Sequence, residues 1–159
     1  MLFFPEQCQI VEALTPATDA AGRTGDYVSL RNAGACYVVF HVAQGNAATI
    51  AVTIEQATAV AGTAHKAITN VVPIWANEDL AADDGFTRQT DAVSFTTSAA
   101  VKHKMVVFKI DPSTLDVAGG FDCLTVITGA SDAANITSAQ YILTDLKYGG
   151  LNAPSAIID

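Results

Sequence analysis

Between Asp26 and Thr58 the chain reads DYVSLRNAGACYVVFHVAQGNAATIAVTIEQAT, three apolar, β-branched stretches parted by Asn-Ala-Gly and by Gln-Gly-Asn-Ala. In the third stretch Ile50, Val52 and Ile54 share one face, and Thr49, Ala51, Thr53 and Glu55 share the other. Alternation at period two marks a half-buried strand. Gly34 and Gly45 fall where tight connections between antiparallel neighbours are expected, so the stretch is predicted to form a β-meander. Its middle run, Cys36 to Gln44, is different. Cys36, Val38, Phe40 and Val42 lie on one face, Tyr37, Val39 and Ala43 on the other, and both faces are apolar. Such a strand is covered on both sides, either at the centre of a sandwich or at a subunit interface.

The rest of the chain continues in short runs. Gln7 to Leu14 reads as a first strand, and Thr15 to Gly25 (TPATDAAGRTG) as loop, being rich in turn formers. Tyr27 to Arg31 is a short strand with Val28 and Leu30 inward. Ile68 to Trp75 is another, placed at an edge or broken at Pro73, which has no N–H to give a ladder. Asn77 to Gly85 reads as an acidic loop or one helical turn. Thr90 to Thr97 reads as a polar hairpin arm. In Lys102 to Ile110 one face carries Lys104, Val106, Phe108 and Ile110; the other carries His103, Met105, Val107 and Lys109. Phe121 to Thr128 and Ala139 to Leu146 complete the set. Eight or nine short strands with regular turn signals predict an all-β fold, a jelly-roll-like antiparallel sandwich. One domain is expected over 1–159, with a flexible N-terminal arm at 1–6 and a tail at 149–159.

Charge and cysteine usage exclude several roles. The net charge of -8 repels phosphate backbones and anionic membrane surfaces, so neither nucleic acid nor membrane is expected as a partner. No apolar run reaches bilayer-spanning length. Met1 to Glu6 has no basic segment and too short an apolar one for a secretory signal, so synthesis in a cytoplasm is expected. Cys8, Cys36 and Cys123 are odd in number and widely spaced, which reads as buried thiols rather than a disulfide framework.

No constellation with chemistry stands out. His41, His65 and His103 have no second ligand at metal-binding spacing. Glu78, Asp79, Asp83 and Asp84 lack the ladder spacing of a calcium loop and read as a solvated acidic loop. There is no nucleophile elbow, phosphate loop or dinucleotide fingerprint. Asn135-Ile136-Thr137 matches the glycosylation pattern with no secretory signal beside it. No catalytic residue, cofactor or metal is therefore expected, and an enzyme is the last-ranked reading. What does stand out is apolar bulk at the termini. Leu2, Phe3, Phe4, Ile157 and Ile158 are read as arm anchors, with Tyr37 and Val39 as further interface residues on the two-faced strand.

Four runs carry a resemblance: GDYVSLRNAGACYVVFHV (25–42), TIEQATAVAGTAHKAI (53–68), LDVAGGFDCLTVIT (115–128) and the end YILTDLKYGG…PSAIID (141–150, 154–159). Together they resemble a group of small structural proteins of tailed bacteriophages, over Gly25 to Asp159. The resemblance implies a capsid cement or decoration protein. Such a protein is a small β-sandwich, dimeric or trimeric with the dimer favoured. It binds the major capsid protein on the outside of the shell and is made in the bacterial host cytoplasm. The shared motifs are packing and turn motifs, not catalytic ones. Two alternatives stand beside it: another virion part (head-fibre base, neck or tail protein), and a carbohydrate-binding sandwich, which would need exposed aromatics grouped around Trp75.

Overall fold

A computed structural model describes residues 3–150 and 153–158. A helical turn, α1 (Phe4–Gln7), precedes twelve strands: β1 (Gln9–Thr18), β2 (Arg23–Thr24), β3 (Val28–Ser29), β4 (Ala35–Ala43), β5 (Ala51–Ala57), β6 (Lys66–Ala67), β7 (Ile74–Asn77), β8 (Thr87–Arg88), β9 (Ser94–Thr96), β10 (His103–Ile110), β11 (Cys123–Thr128) and β12 (Ile136–Thr144). Two 3₁₀ turns, Pro112–Thr114 and Val117–Gly119, separate β10 from β11. β3 answers to the short strand expected over Tyr27 to Arg31; the strands beyond the nine expected are β2, β6 and β8, each only two residues long.

The strands form two antiparallel sheets. The first runs β1-β12-β4-β10-β7-β8, the second β2-β11-β5-β6; β3 also pairs with β11 and β9 with β5. Along the chain, successive strand groups switch sheets, from β1 in the first to β2 and β3 in the second, back to β4, and so on to β12. That switching is the jelly-roll arrangement. It also overturns the meander expected for Asp26 to Thr58. β3, β4 and β5 do not pair with one another: β4 sits between β12 and β10, while β3 and β5 both lie on β11. The connections at Gly34 and Gly45 cross the sandwich. Local turn chemistry does not distinguish a hairpin from an arch, whereas burial of both sheets' inner faces does.

The core lies between the sheets and matches the alternation. Cys36, Val38, Phe40 and Val42 of β4 meet Ile50, Val52 and Ile54 around β5, Val106, Phe108 and Ile110 of β10, and Leu124 and Val126 of β11. Tyr141 of β12 is fully buried, and its hydroxyl ties the sheets: it donates to the Asp26 carbonyl (2.9 Å) and accepts from the Val126 amide (3.1 Å). Lys104 sits on the core face as its spacing predicts. Its ammonium donates to Gln44 Oε1 (2.8 Å), Ser98 O (2.6 Å) and Ser98 Oγ (3.0 Å), and burial draws its pKa down.

Several boundaries differ from the sequence expectation. β1 continues to Thr18 through the stretch expected as loop, with register breaks between Glu12 and Leu14 and between Leu14 and Ala17. Bulges let an edge strand absorb Pro16, which has no N–H to give a ladder. The strand expected from Ile68 begins only after Pro73, at Ile74, and lies one place in from the edge. β12 starts three residues earlier than expected, at Ile136.

Both arms are docked where they are described. The Gly150 amide donates to the Glu6 carbonyl (3.0 Å), and Gln9 Nε2 donates to Pro154 O (2.7 Å). Ala156 is buried, and its carbonyl accepts from the Ser29 amide of β3 (2.7 Å). The tail thus closes the open side of the sandwich between β1 and β3.

Candidate interaction surfaces

The outer faces of the two sheets are chemically unlike. On the second sheet the outward residues are short or polar: Thr24, Ala51, Thr53, Glu55, Ser94 and Thr96, with Ile127 half-buried among them. That is an ordinary solvated face. On the first sheet, register sets side chains into transverse rows. One row is Ile10, Ile142, Tyr37 and Lys109; the next is Glu12, Gln140, Val39, Val107, Trp75 and Arg88. Met105 lies one row further, opposite His41. The middle of this face is apolar across five strands, and no layer of the described chain covers it.

Trp75, Tyr37, Val107 and Phe86 line an open apolar recess there of about 360 Å³. The Arg88 guanidinium lies 4.9 Å from the Trp75 ring centre, donates to the Ile74 carbonyl (3.1 Å) and pairs with Asp91. A cation held over an indole keeps that ring in place on the surface. Tyr37 and Val39, the interface residues expected on the two-faced strand, therefore sit at the centre of the face, half-buried by their neighbours.

The termini form a second apolar area beside it. Phe3 is 71% exposed, Phe4 59%, Ile157 52% and Ile158 70%. Leu2 lies outside the described residues. Pro5, Ile10, Val11, Ala153 and Ile157 line a groove of about 590 Å³ between α1, β1 and the tail. Ile158 turns away to a smaller recess with Ser29, Asn32 and Pro154. Ile10, itself 52% exposed, belongs to both areas: it lines the groove and heads the row leading to Tyr37. The two areas are continuous through it.

The residues weighed for chemistry are occupied structurally. The His41 and His103 rings lie 6.3 Å apart, tilted by 51°, on the outer face of the first sheet; burial, then the neighbouring His103, draws the His41 pKa down. His65 is on the other sheet, 2.9 Å from Glu55. Among the described residues no three His, Cys, Asp or Glu side chains form a metal-holding group. The acidic loop spends its carboxylates on its own backbone and neighbours. Glu78 accepts from the Ser98 amide (2.7 Å) and Asp83 from the Gly85 amide (2.9 Å), while Asp79 pairs with Lys102, whose hydrogen bond holds its pKa low. Cys8, Cys36 and Cys123 are buried thiols outside any disulfide, and burial pushes the Cys36 pKa strongly up. Asn135 is fully buried: its Oδ1 accepts from the Asn46 amide (2.8 Å), and its Nδ2 donates to Ala48 O (3.1 Å) and Ser131 Oγ (2.6 Å). It is a structural node in place of a glycan acceptor.

Sequence reasoning places Tyr37 and Val39 but not Ile10, Trp75, Phe86, Met105, Val107 or Ile142 as parts of one surface. The readable signal is that β4 and β10 each carry apolar residues on both faces; the remaining members are isolated in sequence and meet only through register.

No helix among the described residues is long and apolar enough to cross a membrane. No protein-family model matches the chain, and no curated protein matches it. Among solved structures, the SPBc2 prophage-derived protein YomS is similar over 86% of this chain and 93% of its own, with 7% identity and a TM-score of 0.47. A likeness at that level carries no argument about this chain.

Proposed function

We propose that this chain is a non-enzymatic structural subunit of a tailed-phage virion, a decoration protein that seats on the outside of the capsid shell and stabilises it. The observation that carries the reading is the exposed apolar area at the termini, where Phe3, Phe4, Ile157 and Ile158 stand beside the groove lined by Pro5, Ile10 and Ala153. Monomeric soluble proteins seldom expose such a contiguous area without a partner to cover it. The four sequence runs that resemble phage structural proteins supply the kind of partner. The acidic charge suits an exterior position, away from the packaged genome.

The mechanism is mass action. A subunit that binds the assembled lattice and not free capsid protein stabilises the lattice by about 2.7 kcal/mol per site at a concentration a hundredfold above Kd. The exposed arm residues Phe3, Phe4, Ile157 and Ile158 grip the major capsid protein, and the sandwich provides a rigid body between grips. Co-sedimentation with undecorated heads tests this. Wild-type protein pellets with heads, and the double variant Phe3→Ser/Phe4→Ser binds at least about tenfold more weakly, as expected from losing two aromatic burials. Wild-type protein that stays in the supernatant at every concentration sinks the proposal.

One observation favours a second reading. Trp75, Tyr37 and Phe86 are grouped around a single open recess, as a sugar-stacking platform requires. Glycan-array binding that Trp75→Ala abolishes would support a carbohydrate-binding module; silence across the array would remove it.

A further inference from the structure

We infer that the outer face of the first sheet is the seat of a second copy of this chain, related by a two-fold axis parallel to the strands and lying between β4 and β10. The inference rests on the register rows alone and stands apart from the virion reading. An axis in that position turns each row end for end. In the row Glu12, Gln140, Val39, Val107, Trp75, Arg88, the two valines flanking the axis then face each other across it. The Gln140 amide faces the Trp75 ring, and the acidic end of the row, Glu12, faces its cationic end, Arg88. In the neighbouring row Tyr37 faces the Lys109 ammonium. The face is therefore complementary to itself: apolar on apolar at the axis, ring on cation beside it, acid on cation at the rim.

Charge decides the direction of the axis. An axis across the strands would set Glu12 on Glu12 and Arg88 on Arg88, both repulsive. Charge also favours a like copy at this place rather than elsewhere on the molecule. The chain carries -8 overall, so two copies repel in general. The rows of this face hold one acid, Glu12, against Lys109 and Arg88, with Asp91 paired to Arg88 at the margin. Here two acidic molecules approach with their cations and apolar groups foremost. The apolar centre supplies the attraction, since Val39, Val107, Tyr37 and Trp75 are only half-buried in a single copy.

Sedimentation equilibrium between about 1 and 100 μM, which brackets a micromolar dimer, tests the inference. Wild type is expected to dimerise. Val39→Lys and Val107→Glu, each on the outer face, are expected to raise Kd by about 30-fold or more, the effect of losing a central contact, with thermal unfolding unchanged. An equimolar mixture of the two variants is expected to recover association, because the axis brings position 39 of one copy onto position 107 of the other. A wild-type monomer at 100 μM overturns the inference. So does dimerisation that neither variant weakens, while a mixture that stays monomeric overturns the axis. Head binding, measured separately, reports on the virion reading whatever the dimer result.

Discussion

Asp19 joins the two sheets at one end of the sandwich and is fully buried. Its Oδ1 accepts from Thr128 Oγ1 (2.8 Å), while its Oδ2 is buried with no hydrogen-bond partner among the described residues. Burial raises its pKa; the bond from Thr128, the Arg23 charge and the Thr137 hydroxyl pull it back only in part. A carboxyl whose folded pKa lies above its unfolded value favours the folded state fully at low pH, below the unfolded value. That contribution is lost as pH rises through the folded pKa. Asp19 therefore costs stability at neutral pH. Asp19→Asn supplies an amide in the same shape and is expected to gain about 1 kcal/mol at pH 7, with little change near pH 3. Thermal unfolding at the two pH values checks it; equal effects at both would contradict the buried-carboxylate account. Nothing local in TPATDAAGRTG distinguishes Asp19 from a loop aspartate, since its partners come from β11 and β12, over a hundred residues away. Lys104 is the opposite case. The alternation of β10 alone puts it on the core face, and the surprise is only that Gln44 and Ser98 make that placement tolerable.

At the scale of elements, strands with a clean period are readable and connections are not. β5 and β10 fall within a residue or two of their sequence bounds, because Val52 and Ile54 of β5 and Val106, Phe108 and Ile110 of β10 keep an unbroken period of two. β1 is lost halfway because its bulges break the period and Pro16 looks like a stop. Gly34 and Gly45 mark changes of direction correctly, yet for a tertiary reason. A Cβ on Gly45 would lie 2.5 Å from the Ala134 carbonyl oxygen, and one on Gly34 would lie 2.7 Å from the Asp145 Cβ. These glycines admit the loops that flank β12, which a hairpin reading does not anticipate. Gly45→Ala forces the 44–50 connection away from the loop before β12 and is expected to cost about 2 kcal/mol or more, in the range of overpacked sites. A urea titration with an unchanged slope and a lowered midpoint would show it; a midpoint equal to wild type would mean the crossing has slack.

The whole molecule has one solvated sheet, one apolar sheet and a terminal end that continues the apolar one. The two-faced strand β4 accounts for much of this. Its inner residues hold the core against β5 and β11, and its outer residues, Tyr37 and Val39, are the middle of the exposed face. Of the two sequence alternatives for that strand, the structure shows the central one; its outer face is the one proposed above to meet a second copy. The full extent of the surface is not legible in sequence. Trp75, Phe86 and Ile142 join it only when β7, β8, β10, β4 and β12 are laid side by side. Nor does any single residue announce a function. Uncovered apolar area and the resemblance of the four runs support the proposed structural role.

A cryo-EM map of undecorated tailed-phage heads incubated with this chain tests the central claim most directly. The account predicts β-sandwich density on the capsid exterior, with Phe3, Phe4, Ile157 and Ile158 against the major capsid protein. A shell that gains no such density, or a shell contact made through the polar face of Thr53 and Glu55 with the terminal residues in solvent, would contradict it.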